Sequence, residues 1–124
     1  MSYDIQFGVK VADAGNVYAV IGAPEHDNPT YNIRDILVHS MKWDYEQSRW
    51  YRMDIVIPKI ERGIKELTFN SSKYQKYAPS NGWGGISTAL ECLQSIYNYF
   101  FAVDWFDGKR WDDDIPLKCI YMRF

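Results

Sequence analysis

A glycine-rich turn in the last third of the chain carries residue types suited to binding an anion. The turn reads Asn81-Gly82-Trp83-Gly84-Gly85 and directly precedes the clearest amphipathic pattern in the sequence. Its glycines leave backbone N–H groups able to point at a ligand, and a helix N-terminus that follows favours negative charge. Trp83 adds a broad aromatic surface. This composition suits a flat, anionic ligand, and it also suits a well-packed corner.

Arginine and tryptophan are the other side chains with binding chemistry. The guanidinium group holds phosphate or carboxylate oxygens with a planar fork, and the indole ring stacks on a purine or on an arginine. Each residue taken alone can instead be a core anchor or the partner of an aspartate. Asparagine side chains can in addition hydrogen-bond the polar edges of a ligand. Together these residue types predict a ligand-binding site whose members are Asn32, Arg34, Trp50, Arg52, Asn81 and Trp83.

Catalytic and metal-binding motifs do not accompany these residues. The sequence has no Gly-x-Ser-x-Gly elbow, no Walker loop and no dinucleotide fingerprint. His26 and His39 have no cysteine or carboxylate at the spacing of a metal site, and a run such as Asp112–Asp114 is typical of a solvated loop. We therefore predict a protein that is not an enzyme, with no cofactor and no metal. An enzyme whose site is assembled only in three dimensions stays an alternative.

Length and composition indicate one globular domain over residues 1–124. Of the 124 residues, 47% are hydrophobic and 24% charged, which argues against disorder. The aromatic share is high at 17%, and side chains such as tyrosine and tryptophan concentrate at interfaces and ligand sites as well as in cores.

The net charge, the hydropathy and the cysteines indicate which partners and which cellular compartment to expect. A net charge of -2 is not that of a protein holding duplex nucleic acid by its phosphates. No apolar run is long enough to span a bilayer, so we expect no membrane partner. Cys92 and Cys119 are expected to be reduced core thiols of a cytoplasmic protein.

Hydropathy patterns predict an α+β fold with the element order β-β-α-α-α-β. Residues 3–11 alternate as a half-buried strand, and residues 17–21 complete an N-terminal hairpin. Asn32 is the expected N-cap of the first helix, Pro58 lies at the opening of the second, and Thr88 with Glu91 predicts a capping box for the third. The segment 42–52 is interpreted as a loop or irregular strand, and residues 117–124 as the last strand.

These elements predict how the domain is assembled. A small antiparallel sheet, made of the N-terminal hairpin and the C-terminal strand, packs against about three helices. Such a sheet leaves an exposed edge, and exposed edges favour pairing with another chain. We therefore expect a homo-oligomer.

Four segments of the sequence resemble a known group of proteins. They are Met1–Ile5 with Val9–Val11, Thr30–Asp35, Ile57–Ile60 and Tyr77–Gly84. Over roughly residues 1–100 the chain is similar to a family of small phage and prophage proteins of Gram-positive bacteria, and the resemblance fades in the tail.

The resemblance implies a biological context, phage infection of a bacterium, but no biochemical activity. Small phage proteins without catalytic motifs are frequently counter-defence factors that act in the infected bacterial cell. The first hypothesis is that this protein binds and sequesters a nucleotide-derived immune signal, such as a cyclic dinucleotide or a relative of cyclic ADP-ribose. In this hypothesis Arg34 and Arg52 hold phosphates while Trp83 stacks on a base. The alternative is a protein inhibitor, of the anti-CRISPR type, that binds a host defence enzyme directly.

Overall fold

The predicted α+β fold is confirmed. The computed structural model describes residues 2–11, 18–25, 27–80, 82, 84–101 and 117–124. In chain order the elements are β1 (Gln6–Lys10), β2 (Tyr18–Gly22), α1 (Arg34–Met41), β3 (Trp50–Arg52), α2 (Met53–Phe69), α3 (Ile86–Phe101) and β4 (Ile120–Arg123). Short 3-10 turns lie at Tyr31–Ile33, Ser71–Tyr77 and Leu117–Cys119.

The sheet has four strands in the order β2-β1-β4-β3, and every neighbouring pair is antiparallel. The C-terminal strand lies beside the N-terminal hairpin, as the sequence predicts. Residues 42–52 are interpreted from the sequence as a loop or irregular strand, and the predicted sheet does not include β3. That strand is only three residues long, and its pairing partner β4 is far along the chain. β4 is therefore a central strand and not an edge.

The helices begin at different residues from those predicted. Asn32 does not cap α1: its backbone N–H donates to Thr30 Oγ1 at 3.3 Å, at the start of a 3-10 turn that leads into the helix. α2 begins at Met53, so Pro58 is inside the helix and not at its opening. α3 begins at Ile86, so Thr88 is a helical residue and the predicted capping box is wrong.

The core lies between one face of the sheet and the three helices. Phe7 of β1 and Met122 of β4 are fully buried, as is Ile60 of α2. Burial at Val56, Ile60, Gly63 and Leu67 follows the helical period, so one face of α2 is apolar along its length.

The two cysteines are free. Cys92 is a core thiol as predicted, whereas Cys119 is exposed, so that part of the prediction is wrong.

Candidate functional site: the outer face of the sheet

The face of the sheet that points away from the helices, called here the outer face, collects aromatic and basic side chains. Side chains alternate between the two faces of a strand, and residues paired across strands share a face. The observed registers therefore bring nine residues to the outer face: Gln6, Gly8, Lys10, Tyr18, Val20, Trp50, Arg52, Tyr121 and Arg123. Two of them, Trp50 and Arg52, are residues that the sequence predicts for the site.

Trp50 stacks on Tyr18 across the whole width of the sheet. The ring centroids are 4.8 Å apart and the ring planes differ by 20°. Their strands are the two edges of the sheet, roughly 14 Å apart at a spacing of about 4.8 Å per strand. Tyr121, on β4, one of the two strands between them, meets Tyr18 edge-on at 4.9 Å. The result is a continuous aromatic surface on the side of the sheet that faces away from the core.

Gly8 makes this stack sterically possible. A Cβ at Gly8 would lie 2.9 Å from both Cη2 and Cζ3 of Trp50, which is closer than nonbonded carbons approach. The missing side chain therefore leaves the space over β1 into which the indole extends. Glycine in the middle of a strand weakens the strand, and close approach of another group is a common reason for its presence.

Positive charge accompanies the aromatic rings. Lys10, Arg52 and Arg123 are on the outer face, and none of its nine residues is acidic, although the whole chain has a net charge of -2. The guanidinium carbon of Arg123 lies 5.3 Å from the centre of the Trp50 ring, and its Nη2 donates to Gln6 Oε1 at 2.7 Å. Cation–π contact and hydrogen bond together fix this guanidinium beside the stack.

Arg52 is paired with an acidic neighbour at the start of α2. Its Nε and Nη2 donate to the two carboxylate oxygens of Asp54 at 3.0 and 2.8 Å. Those hydrogen bonds lower the pKa of Asp54 below its usual value. Both side chains are exposed, so the pair is accessible to solvent and the guanidinium can exchange Asp54 for another anion at small cost.

An open pocket of about 610 Å³ lies where β3 begins. We call it the Trp50 pocket; it is lined by Tyr18, Glu46, Gln47, Ser48, Arg49 and Trp50. Its volume is within the range of roughly 300–1,000 Å³ typical of small-molecule sites. Tyr18 and Trp50 contribute aromatic surface to this lining, and residues 46–49 contribute polar side chains.

Residues 46–49 of the lining are held in place by three contacts. Ser48 has a left-handed backbone, with φ of 63°, and its N–H donates to the carbonyl of Phe124 at 3.1 Å. The N–H of Glu46 donates to Tyr51 Oη at 2.8 Å, and the Arg49 guanidinium lies 5.5 Å from the Tyr51 ring. The charged ends of Glu46 and Arg49 are only 3.5 Å apart yet mostly exposed, at 71% and 61%. Both charges are therefore available to a ligand in the pocket.

Arg34 is not on the outer face. Its Nη2 donates to Asp44 Oδ1 and to the carbonyl of Tyr45, both at 3.0 Å, and its guanidinium carbon lies 4.7 Å from the Tyr45 ring centre. The hydroxyls of Tyr45 and Tyr3 are 2.6 Å apart in the core, and burial raises the pKa of both phenols. Arg34 therefore joins the start of α1 to the loop before β3 and is not brought together with Arg52.

The glycine turn packs against the segment that contains Asn32. Gly84 has φ of +88°, and a Cβ there would lie 2.7 Å from Thr30 Cγ2 and 3.0 Å from Ile33 Cγ2. The two motifs are thus neighbours in the fold, and Asn32 is exposed on the 3-10 turn beside them. Asn81 and Trp83 lie outside the described residues, so the structure does not place these two predicted site residues.

Sequence reasoning did not assign Tyr18, Glu46, Arg49, Tyr121 and Arg123 to the site. The spacing of Trp50 and Arg52, two residues apart, was a signal for a strand with both side chains on one face. The same period in the last strand places Tyr121 with Arg123. What no local pattern contains is the strand order, which brings these pairs and Tyr18 onto one surface.

Comparisons with known proteins leave the chain without an assigned family. No protein-family model, curated protein or solved structure matches it. The resemblance to phage and prophage proteins therefore stays a prediction.

In the part of the chain that the structure describes, no group of three or more His, Cys, Asp and Glu could hold a metal ion. No helix among the described residues has both the length and the apolar character needed to cross a bilayer.

Proposed function

We propose that this protein binds a nucleotide-type ligand in the Trp50 pocket and on the adjoining outer face. The observation that carries the proposal is the Tyr18–Trp50 stack bordered by arginines on a face without acidic residues. Aromatic side chains stack on nucleobases with little dependence on sequence, and arginine pairs with phosphate through two parallel hydrogen bonds. A ligand with both a base and a phosphate is the simplest one that uses both halves of the site.

The pocket gives each part of such a ligand a position. The base lies against Trp50 and Tyr18, the two aromatic residues of the pocket lining. Arg49 lines the same pocket and is mostly exposed, so it can exchange its ion pair with Glu46 for a phosphate at small cost. Glu46 can accept hydrogen bonds from ribose hydroxyls or from an exocyclic amino group.

Sequestration of an immune signal is the biological role that we propose for this binding. Its support is the resemblance to phage proteins together with the aromatic and basic side chains of the outer face. Free cyclic dinucleotides and cyclic ADP-ribose relatives carry the required bases and phosphates. The protein-inhibitor alternative remains a prediction from the same resemblance.

Isothermal titration calorimetry of the full chain tests the ligand class. The panel contains cyclic dinucleotides, a cyclic ADP-ribose relative, mononucleotides, and ribose phosphate as a probe without a base. We expect W50A to weaken binding by about tenfold or more, because base–aromatic stacking is worth roughly 1–3 kcal/mol per base. R49Q should weaken binding of every phosphate-bearing ligand, because it removes a cation from the pocket lining.

Matched variants control for general effects. Phe69 is an aromatic residue 77% exposed on α2, and Arg62 is a partly exposed arginine on the same helix. F69A and R62Q should therefore leave the affinities unchanged. Absence of heat from every ligand at high micromolar concentration would contradict the proposal, as would equal affinity of W50A and the unmodified chain.

A further inference from the structure

The two edges of the sheet differ in their protection against pairing with another chain. β3 has three residues, includes Arg52, and continues directly into α2 at Met53. Short length and charge are the means by which natural edge strands avoid association. β2 has five residues, Tyr18–Gly22, and contains neither a charged side chain nor a proline. The two edges are therefore not equivalent, and only β2 lacks these devices.

β2 is also apolar and exposed on both faces. Val20 is on the outer face and 54% exposed, and Ala19, on the opposite face, is exposed as well. Within the described residues, β2 pairs only with β1. No other backbone group described in the structure hydrogen-bonds to its free edge. An uncharged, apolar strand with a free row of N–H and C=O groups is a template for one more strand.

We propose that β2 pairs antiparallel with β2 of a second copy of this chain. A twofold axis perpendicular to a sheet relates two antiparallel strands, so one strand sequence supplies both sides of the contact. The lack of charge on Tyr18–Gly22 means that the identical strand meets no like charge. We therefore favour a second copy of this chain over a partner of another sequence.

The pairing joins two four-stranded sheets into one continuous sheet. Because the axis is perpendicular to the sheet, both outer faces lie on the same side. Tyr18 is on the joining strand, so the aromatic surfaces of the two copies adjoin at the junction. This inference does not rest on the proposed function, since it needs only the backbone and the side chains of β2.

Sedimentation equilibrium of the full chain, from low to high micromolar concentration, tests the pairing. We expect a monomer–dimer equilibrium, and we expect V20K to raise the dimer dissociation constant about tenfold or more, because it places two ammonium groups at the junction. I55K is the matched control: Ile55 is 49% exposed on α2, away from the β2 edge. That variant should dimerise like the unmodified chain.

Hydrogen exchange of the unmodified chain tests the location without a substitution. Amides of Tyr18–Gly22 should gain protection as the protein concentration rises, while those of β3 should not. A monomer at every concentration would overturn the proposal. So would equal dissociation of V20K and I55K, or concentration-dependent protection elsewhere but not in β2. Sedimentation equilibrium of R49Q separates the two proposals. Arg49 lines the Trp50 pocket but lies outside β2, so this substitution should weaken nucleotide binding and leave dimerisation unchanged.

Discussion

At the scale of a residue, the carboxylate of Glu66, near the end of α2, links the helix to the segment that follows it. Its Oε2 accepts a hydrogen bond from Asn70 Nδ2 at 2.6 Å, and its Oε1 accepts one from the Tyr74 hydroxyl at 3.1 Å. These two hydrogen bonds lower the pKa of Glu66 below its ordinary value of 4.5. The carboxylate thereby fixes the 3-10 turn Ser71–Tyr77 to the helix that precedes it.

The lowered pKa has a defined effect on acid stability. A carboxyl with a lower pKa in the folded than in the unfolded chain stabilises the fold above its unfolded pKa, and this contribution is lost as the pH falls through its folded pKa. We therefore expect E66Q to be less stable than the unmodified chain at pH 7, with a difference that shrinks as the pH falls below about 4.5. Urea unfolding at a series of pH values measures it. E61Q on the same helix is the control, and a pH-independent difference for E66Q would contradict the account.

At the scale of elements, Gly63 determines how closely the helices pack. A Cβ at this position would lie 2.6 Å from Leu93 Cδ1 of α3 and 2.8 Å from Met41 Cγ of α1. Both neighbours are fully buried in the core. Glycine costs a helix interior up to about 1 kcal/mol relative to alanine. Here the close contact of three helices explains why the glycine is present.

Replacing Gly63 by alanine weighs these two effects against each other. Overpacking a filled core costs typically about 1–3 kcal/mol, more than the gain in helix propensity. We expect G63A to lower the free energy of unfolding by about 1–2 kcal/mol, measured by urea denaturation followed by circular dichroism. Gly85 offers the matched control, because a Cβ there meets nothing within 4 Å. A G63A chain as stable as G85A would show that α1 and α3 move apart without cost.

At the scale of the whole molecule, the fold is closed by its last strand. β4 lies between β1 and β3, and Ile120 and Met122 are fully buried against the helices. Phe124, just beyond it, stacks on Tyr45 at 4.1 Å. The strand therefore connects the N-terminal hairpin to β3, to the core and to the loop that lines the Trp50 pocket.

Removing residues 120–124 tests that role. We expect the shortened chain to lose its cooperative unfolding transition, because β3 loses its only partner strand in the described structure and the core loses three buried side chains. Urea titration followed by near- and far-ultraviolet circular dichroism is the measurement. Y121T is the control, since it keeps the strand and changes only an outer-face side chain. A retained transition with an unchanged denaturant slope would contradict the prediction.

The sequence predicted what depends on local periodicity and missed what depends on distant pairing. The alternation of Tyr3, Ile5 and Phe7 correctly indicated a buried face, but the strand predicted over residues 3–11 is shorter in the structure and begins at Gln6. Helix beginnings were misplaced, because Thr30 caps a 3-10 turn and α2 starts before Pro58. The outer face could not be predicted, because its rings come from three strands, β2, β3 and β4, and only the strand order makes them neighbours.

The glycine under the indole also has a consequence for how this sequence can evolve. No side chain fits at position 8 while Trp50 lies over β1, because even a methyl group would overlap the ring. Related chains that keep the indole must keep Gly8, and chains that acquire a side chain at position 8 must change residue 50. Positions 8 and 50 should therefore covary in an alignment of related sequences.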